Sequence, residues 1–330
     1  MTATESIRCA CRAVRAELFH FSFHYPLGLV PDAGPKNSLA YYFYSDTLAW
    51  RDMRMGPDGV PLYWCRELGA AHWPAYIAWY GLVHLGHYLQ ERDPRHRDTF
   101  LTQAQWLEDN ALVRPDGAVV WPMNFDHFTS SVPLKAPWVS AHAQGFAISA
   151  MVRAWRLTRR PRLLELLYGA ARIFELTAPE NDIRLPVGDH VVYAEIPGGP
   201  APGILDGFLI SLFGLYDLAA ETGDPDVARL FAEGVAGLKA TLGLWDYRNK
   251  WSWYDDRQYL SPPAYHCQHQ LYLRILGRLT GEALFSQVAA RWDPARLSAL
   301  DRAEIYCAFI CTKNWSRLRH RTWRHASKSA

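Results

Sequence analysis

The stretch "LDGFLISLFGLYDLAAETGDPDVARLFAEGVAGLKATL" (205–242) decides the fold. Its first half is apolar around the whole circumference of a helix, and such a helix belongs inside a protein. Then "GDP" (223–225) supplies a turn, with Gly to end one helix and Pro to start the next. The second half carries Asp226, Arg229 and Glu233 on one face, so it belongs outside. The same order of apolar helix, short turn and amphipathic helix recurs three more times. One copy spans 70–109 with "RDP" at 92–94, one spans 141–176 with "RRP" at 159–161, and one spans 265–292 with "TGE" at 280–282. A repeat of roughly sixty to seventy residues is long for a solenoid but accommodates a hairpin plus an insertion. Four such pairs closing on themselves predict a mainly α fold, an (α/α) toroid with an inner and an outer ring.

Between the pairs lie "GAVVWPMNF" (117–125), "HVVYAEIP" (190–197) and "WSWYDDRQYL" (251–260). Each alternates aromatic or branched residues with polar ones and is bounded by turn residues, as short β-hairpins are. Each also precedes an apolar helix, so all three fall at one end of the toroid, where a cleft is expected. Glu195 sits on the second insertion, at that mouth. The aromatic runs "LAYYFYSD" (39–46) and "MGPDGVPLYW" (55–64) predict a small β cap. The expected division is therefore an N-terminal segment with a cap over 1–68 and a toroid over 69–330, ending in a basic, solvated tail, "RLRHRTWRHASKSA" (317–330).

A formal net charge of +2 over 330 residues gives no electrostatic reason to expect a nucleic acid or a membrane surface as partner. No apolar run reaches the length of a membrane span, and no basic segment followed by an apolar one opens the chain. Cys9, Cys11, Cys65, Cys267, Cys307 and Cys311 form no CxxC pair, so they read as reduced thiols without zinc, in a cytoplasmic protein. Phosphate loops, dinucleotide fingerprints, HExxH and GxSxG are missing, and no cofactor is expected. The aromatic share of 14% suits a sugar cleft, because ring faces stack on pyranose C–H faces, but it suits a large helical core equally.

The densest group of chemically capable residues is "YDDRQYLSPPAYHCQHQ" (254–270), which crowds Tyr254, Arg257, Tyr265, His266, His269 and Gln270 around one loop. An arginine fork beside two tyrosines suits a carboxylated sugar, since the fork holds the carboxylate and a phenol exchanges a proton. An aromatic strand with Arg257 paired to Asp255 or Asp256 fits the same residues. His84 and His87, three apart on the first inner helix, read as histidines satisfied by neighbours rather than as metal ligands.

Several segments, in order along 56–292, resemble the D-glucuronyl C5-epimerases. They are "WPAYIAWYGLVHL" (73–85), "SAHAQGFAISAMVRAWRLT" (140–158), Glu195-Ile196-Pro197, "DGFLISLFGLYDL" (206–218), "YDDR" (254–257) and "YHCQHQ" (265–270). The resemblance implies inversion of C5 of glucuronate within a polysaccharide, without a nucleotide cofactor; a calcium ion at the cap is left open. It implies Glu195 on one face of the sugar and Tyr265 on the other as proton-transfer groups, with Tyr254 beside them. Arg257 matches the family arginine that holds the carboxylate. Asp206, His266, His269, Gln144, Trp138 and Asn124 complete the expected substrate-binding set. Family members often pair, and the aromatics before Gly69 would serve as the interface of a homodimer.

Departures accompany the likeness. The family tyrosine after the glutamate is Ile196 here, its inner-helix asparagine is Asp206, and a tyrosine one turn later is Ile210. "WPMNFDHF" (121–128) lacks the family's basic pair, which argues against a densely sulfated substrate. Two other readings stand beside the epimerase. A polysaccharide lyase would start with the same proton abstraction, and a glycan-binding toroid would have lost catalysis.

Overall fold

The computed structural model describes residues 21–23, 25, 27–30, 33, 38–45, 53–65, 69–126, 134–176, 183–198, 203–255 and 259–319. The chain is mainly helical, with short antiparallel strand pairs. An N-terminal pair, β1 (Leu27–Leu29) and β2 (Phe43–Ser45), is followed by β3 (Tyr63–Cys65) and β4 (Gly69–Ala71). Then come α1 (Pro74–Glu91) and α2 (Pro94–Asp109). The pair β5 (Leu112–Val113) and β6 (Val119–Val120) leads to α3 (Ala141–Thr158) and α4 (Pro161–Ala170). The pair β7 (Arg184–Val187) and β8 (His190–Tyr193) leads to α5 (Leu205–Thr222) and α6 (Pro225–Thr241). The pair β9 (Asp246–Tyr247) and β10 (Trp251–Ser252) leads to α7 (Pro263–Thr280), α8 (Ala283–Arg291) and α9 (Ala299–Arg319).

The four expected hairpins are α1–α2, α3–α4, α5–α6 and α7–α8. Their first helices are each 18 residues long, about 27 Å at the usual rise. Each ends on a left-handed residue: Arg92 at φ 60°, Arg159 at φ 54°, Gly223 at φ 70° and Gly281 at φ 73°. That conformation satisfies a last-turn carbonyl and reverses the chain. Pro94, Pro161 and Pro225 then open the outer helices, where a missing N–H costs nothing. Asp93 and Asp224 cap two of them through their side chains.

The inner helices pack in succession, α1 on α3, α3 on α5 and α5 on α7, with each outer helix against its own inner partner. At the tightest crossing the backbones touch. A Cβ on Gly145 of α3 would lie 2.5 Å from the Ile210 carbonyl of α5, and one on Gly214 would lie 2.5 Å from the Gly145 carbonyl. Between α7 and α1 the N-terminal strand fills the space: the Phe43 ring lies 4.8 Å from that of Trp79 and 4.6 Å from that of Tyr272. Nothing in this arrangement departs from an (α/α) toroid.

Several expectations need correction. The first apolar helix starts at Pro74 rather than at 70, because Gly69–Ala71 pairs with Tyr63–Cys65. The second outer helix stops at Ala170 and tightens into a single turn over Arg172–Phe174. Of the aromatics before Gly69, Tyr41, Tyr42 and Phe43 are buried in the core, where their rings help close the inner ring, whereas Tyr44 is exposed. Arg317–Arg319 close α9, a helix that the sequence reading did not anticipate, and the rest of the basic tail lies outside the described residues. Ile305 and Phe309 of α9 form a second cluster with Trp251, Leu260 and Leu297, bracing the β9–β10 pair and the loop after it. Cys267, Cys307 and Cys311 are free thiols. No helix among the described residues is long and apolar enough to cross a membrane.

Candidate active site

The N-terminal ends of the four inner helices meet at one end of the molecule. They contribute Tyr76 from α1, His142 from α3, Asp206 and Gly207 from α5, and Tyr265 and His269 from α7. Glu195, just beyond β8, and Tyr254 and Asp255, just beyond β10, come in from the hairpins. Helix N-termini carry partial positive charge, so this end suits an anionic group.

Glu195 is placed by two backbone bonds and one missing side chain. The Ala194 amide donates to the Ile183 carbonyl at 2.7 Å, and the Ala194 carbonyl accepts from the Ala141 amide at 3.0 Å, tying β8 to the first residue of α3. The next side chain, Glu195, lies on Gly207, where a Cβ would sit 2.3 Å from its Oε2. A glycine is therefore required beneath the carboxylate. The Glu195 side chain is 12% exposed, and its Oε2 has no hydrogen-bond partner. Its pKa is raised well above the usual carboxylate value by burial, with further contributions from the Asp206 and Asp255 carboxylates.

The tyrosines are held as neutral phenols. Burial pushes the Tyr265 hydroxyl far up, and Asp206, Tyr76 and Glu195 push it further, while a hydrogen bond from Tyr254 opposes them. The Tyr254 ring meets the Tyr265 ring edge-on at 4.9 Å, and its own pKa is raised, again mainly by burial. Burial lifts Tyr76 to about 12, with Tyr63, Glu195 and Asp206 adding to the shift. His269 completes the group: its Nε2 lies 3.6 Å from Asp206 Oδ1, and its Nδ1 lies 2.8 Å from the Ser252 hydroxyl.

Of the residues singled out from sequence, Glu195, Tyr254, Tyr265, Asp206 and His269 come together. His266 does not face the opening. The Ser252 amide donates to its Nδ1 at 3.1 Å, its Nε2–H donates to the Trp292 carbonyl at 2.8 Å, and its ring stacks on Trp251 at 3.5 Å. Burial lowers its pKa to about 3, so it is a neutral strut with no face left for a sugar. Gln144 is fully buried, with its Nε2 donating to the carbonyls of Val119 and Ala170. Trp138 is 1% exposed and donates its indole N–H to the Phe125 carbonyl. Those three are positioned by motifs whose work here is packing. Asn124 is exposed and lines a different cavity, about 270 Å³, with Ala70, His72, Trp106 and Trp121. Arg257 lies outside the described residues.

Sequence reasoning missed Tyr76, His142, Gly207 and Asp255. The rule that all inner-helix N-termini share one mouth, applied helix by helix, would have found the first three. His84 and His87 lie far along α1 in a surface cluster. His84 Nδ1 is 2.8 Å from His96 Nδ1, while Glu91 faces His87 at 3.2 Å and His96 at 3.5 Å. Among the described residues no group of three or more His, Cys, Asp or Glu stands ready to hold a metal ion.

Known proteins resemble the chain across this region. It is 27% identical over 223 residues to the D-glucuronyl C5-epimerase of Caenorhabditis elegans, a match covering 62% of this chain and 36% of that enzyme. It is 21% identical over 219 residues to an uncharacterized protein of Methanocaldococcus jannaschii, covering 62% of this chain and 70% of that one. The chain thus spans about a third of the worm enzyme's length. The model of the D-glucuronyl C5-epimerase C-terminal domain matches residues 115–294, which run from the turn between β5 and β6 to just past α8. With more than half of its length matched, and every element that builds the mouth except α1 inside that match, the chain belongs to the D-glucuronyl C5-epimerase C-terminal family.

Proposed function

We propose that this protein is a uronate C5-epimerase acting on glucuronate residues of an oligo- or polysaccharide and giving iduronate. The observation that carries the reading is the pairing of Glu195 with Tyr265. One is a buried carboxylate with a raised pKa and the other a buried phenol held neutral, and the Glu195 carboxylate contributes to the raised pKa of Tyr265. Epimerisation at C5 needs such a pair, because one group removes a proton and another returns one from the opposite ring face. In the proposed step an ionised Glu195 takes the C5 proton, and the C–H electron pair moves into the adjacent carboxyl to form an enolate-like dianion. The Tyr265 hydroxyl then protonates C5 from the other side. A carboxylate with a raised pKa is a stronger base, which suits a weakly acidic C–H. The helix N-termini and, by family correspondence, Arg257 would stabilise the charge that builds on the sugar carboxylate.

The test is incubation with unsulfated glucuronate polymers, heparosan among them, in heavy water, with deuterium at C5 read by NMR. Incorporation with new iduronate signals is the expected result. Glu195→Gln and Tyr265→Phe should each lower the rate by about 10²–10⁴-fold, the usual contribution of a positioned acid or base. Chain scission with unsaturated ends would replace the epimerase with a lyase. Binding without exchange across several such polymers would leave a glycan-binding toroid.

A further inference from the structure

We propose that His142 is the proton partner of Glu195, a positioning residue that receives at Nδ1 the proton Glu195 takes up and so sets the pH at which Glu195 is ready to act as a base. The catalytic meaning of this pairing rests on the function proposed above; the pairing itself rests on geometry. His142 Nδ1 lies 4.0 Å from Glu195 Oε1. The two side chains are 16% and 12% exposed, and both His142 Nδ1 and Glu195 Oε2 are buried without a hydrogen-bond partner. Leaving two such atoms unsatisfied is costly, and a small rotation or one bridging water satisfies both. The backbone enforces the meeting. The Ala141 amide bonds the Ala194 carbonyl, and the next residue on each segment is His142 or Glu195. Gly207 blocks retreat of the carboxylate toward α5, and Phe146 meets the imidazole edge-on at 4.9 Å from the other side.

Burial lowers the basicity of His142, with Asp206 opposing, while burial raises that of Glu195. A buried carboxylate and a buried imidazole at this distance are placed to share one proton. The other titratable groups facing the pair are Asp206 on α5, Tyr254 and Asp255 after β10, Tyr76 on α1, and Tyr265 at the start of α7. In the proposed step the proton from C5 passes from the Glu195 carboxyl to His142 Nδ1, and no bond other than the two proton bonds changes.

The test follows the His142 imidazole by NMR in full-length protein labelled at histidine, across pH 4–9 in wild type and Glu195→Gln. The midpoint of His142 should fall by about one pH unit or more in the variant, because the carboxylate that favours its protonated form is gone. A midpoint unchanged within the error of the titration overturns the pairing. His142→Gln provides the reciprocal measurement: the titration of Glu195, read by carboxyl carbon labelling, should move, and the acid limb of the kcat/KM profile for C5 exchange should move with it. A superimposable profile with normal exchange overturns the proton role, since a merely structural histidine would lower the rate at every pH alike. If wild type exchanges no C5 proton on any glucuronate polymer, the proposed reaction fails, while the two titrations still decide the pairing.

Discussion

The two ends of the inner ring are built from the same residue types to opposite effect. At the closed end, Arg153 of α3 and Asp217 of α5 form a bidentate ion pair at 2.6 and 3.3 Å, 1% and 3% exposed. Tyr42 and Ser149 donate to the same carboxylate at 2.6 and 2.7 Å, and Arg153 donates to the Ala40 and Ser149 carbonyls. At the open end, Glu195, Asp206, His142 and His269 are also buried, yet each keeps at least one polar atom without a partner. Burial is common to both ends, and Arg153 Nε too is left without a partner, but of the two ends only the open one leaves carboxylate oxygens, Glu195 Oε2 and Asp206 Oδ1, unengaged. A charge network with every carboxylate oxygen engaged holds the fold, whereas one with atoms left over has capacity for a ligand.

The sharpest way to break this contrast is to remove one partner at the closed end. Asp217→Ala strands a buried guanidinium and should cost about 3–5 kcal/mol, read as a lower urea midpoint. A loss below about 1 kcal/mol would show that the closed end is no more committed than the open one. Acid should act next. The pKa of buried His266 falls from its ordinary value to about 3, so below pH 6.5 the unfolded chain binds a proton that the folded chain does not. Stability should therefore drop as the pH falls from 6.5 toward 3, by about 3 kcal/mol at pH 4, and His266→Gln should flatten that slope. At the open end, Gly207→Ala pushes Glu195 off its seat. C5 exchange should fall by about 10²-fold with little change in the urea midpoint, because the variant disturbs placement rather than packing. The smallest effect runs in the favourable direction. The raised pKa of Glu195 means that the folded state holds its proton more tightly than the unfolded state, so stability declines above pH 4.5 as the carboxyl is forced to ionise. Glu195→Gln removes that cost and should raise the urea midpoint at pH 8 above that of wild type while lowering exchange.

The helical pairs were legible because their punctuation is local. Arg92–Pro94, Arg159–Pro161 and Gly223–Pro225 encode a left-handed stop and a proline start within three residues, with no help from the rest of the fold. Glu195 was legible as the single carboxylate on a hairpin ahead of an apolar helix. α9 was not, because its outward face carries Leu300, Cys307, Cys311 and Trp315, which blurs the apolar period. Gln144, Trp138 and His266 were flagged by family segments, but their direction is set by carbonyls brought up from distant segments, which spacing does not encode. His142 was overlooked for the reverse reason. It is one more helix residue until the bond between Ala141 and Ala194 puts it opposite Glu195.

The strand that bridges α7 and α1 also imposes an order of events on the chain. Phe43 touches Trp79 soon after it in sequence and Tyr272 far beyond it, and the Tyr42 hydroxyl reaches Asp217 across 175 residues. On the ribosome the segment around 41–43 emerges before all four helical hairpins, and Tyr272 emerges only after three of them. Closing so long a loop is entropically slow, so the clasp waits for α7. Until α7 is made, three hairpins stand with apolar inner faces and no closing partner, and the buried rings of Tyr41, Tyr42 and Phe43 have nowhere complete to dock. Completion of the ring is thus a single late act, in which a strand made before the hairpins meets the last inner helix.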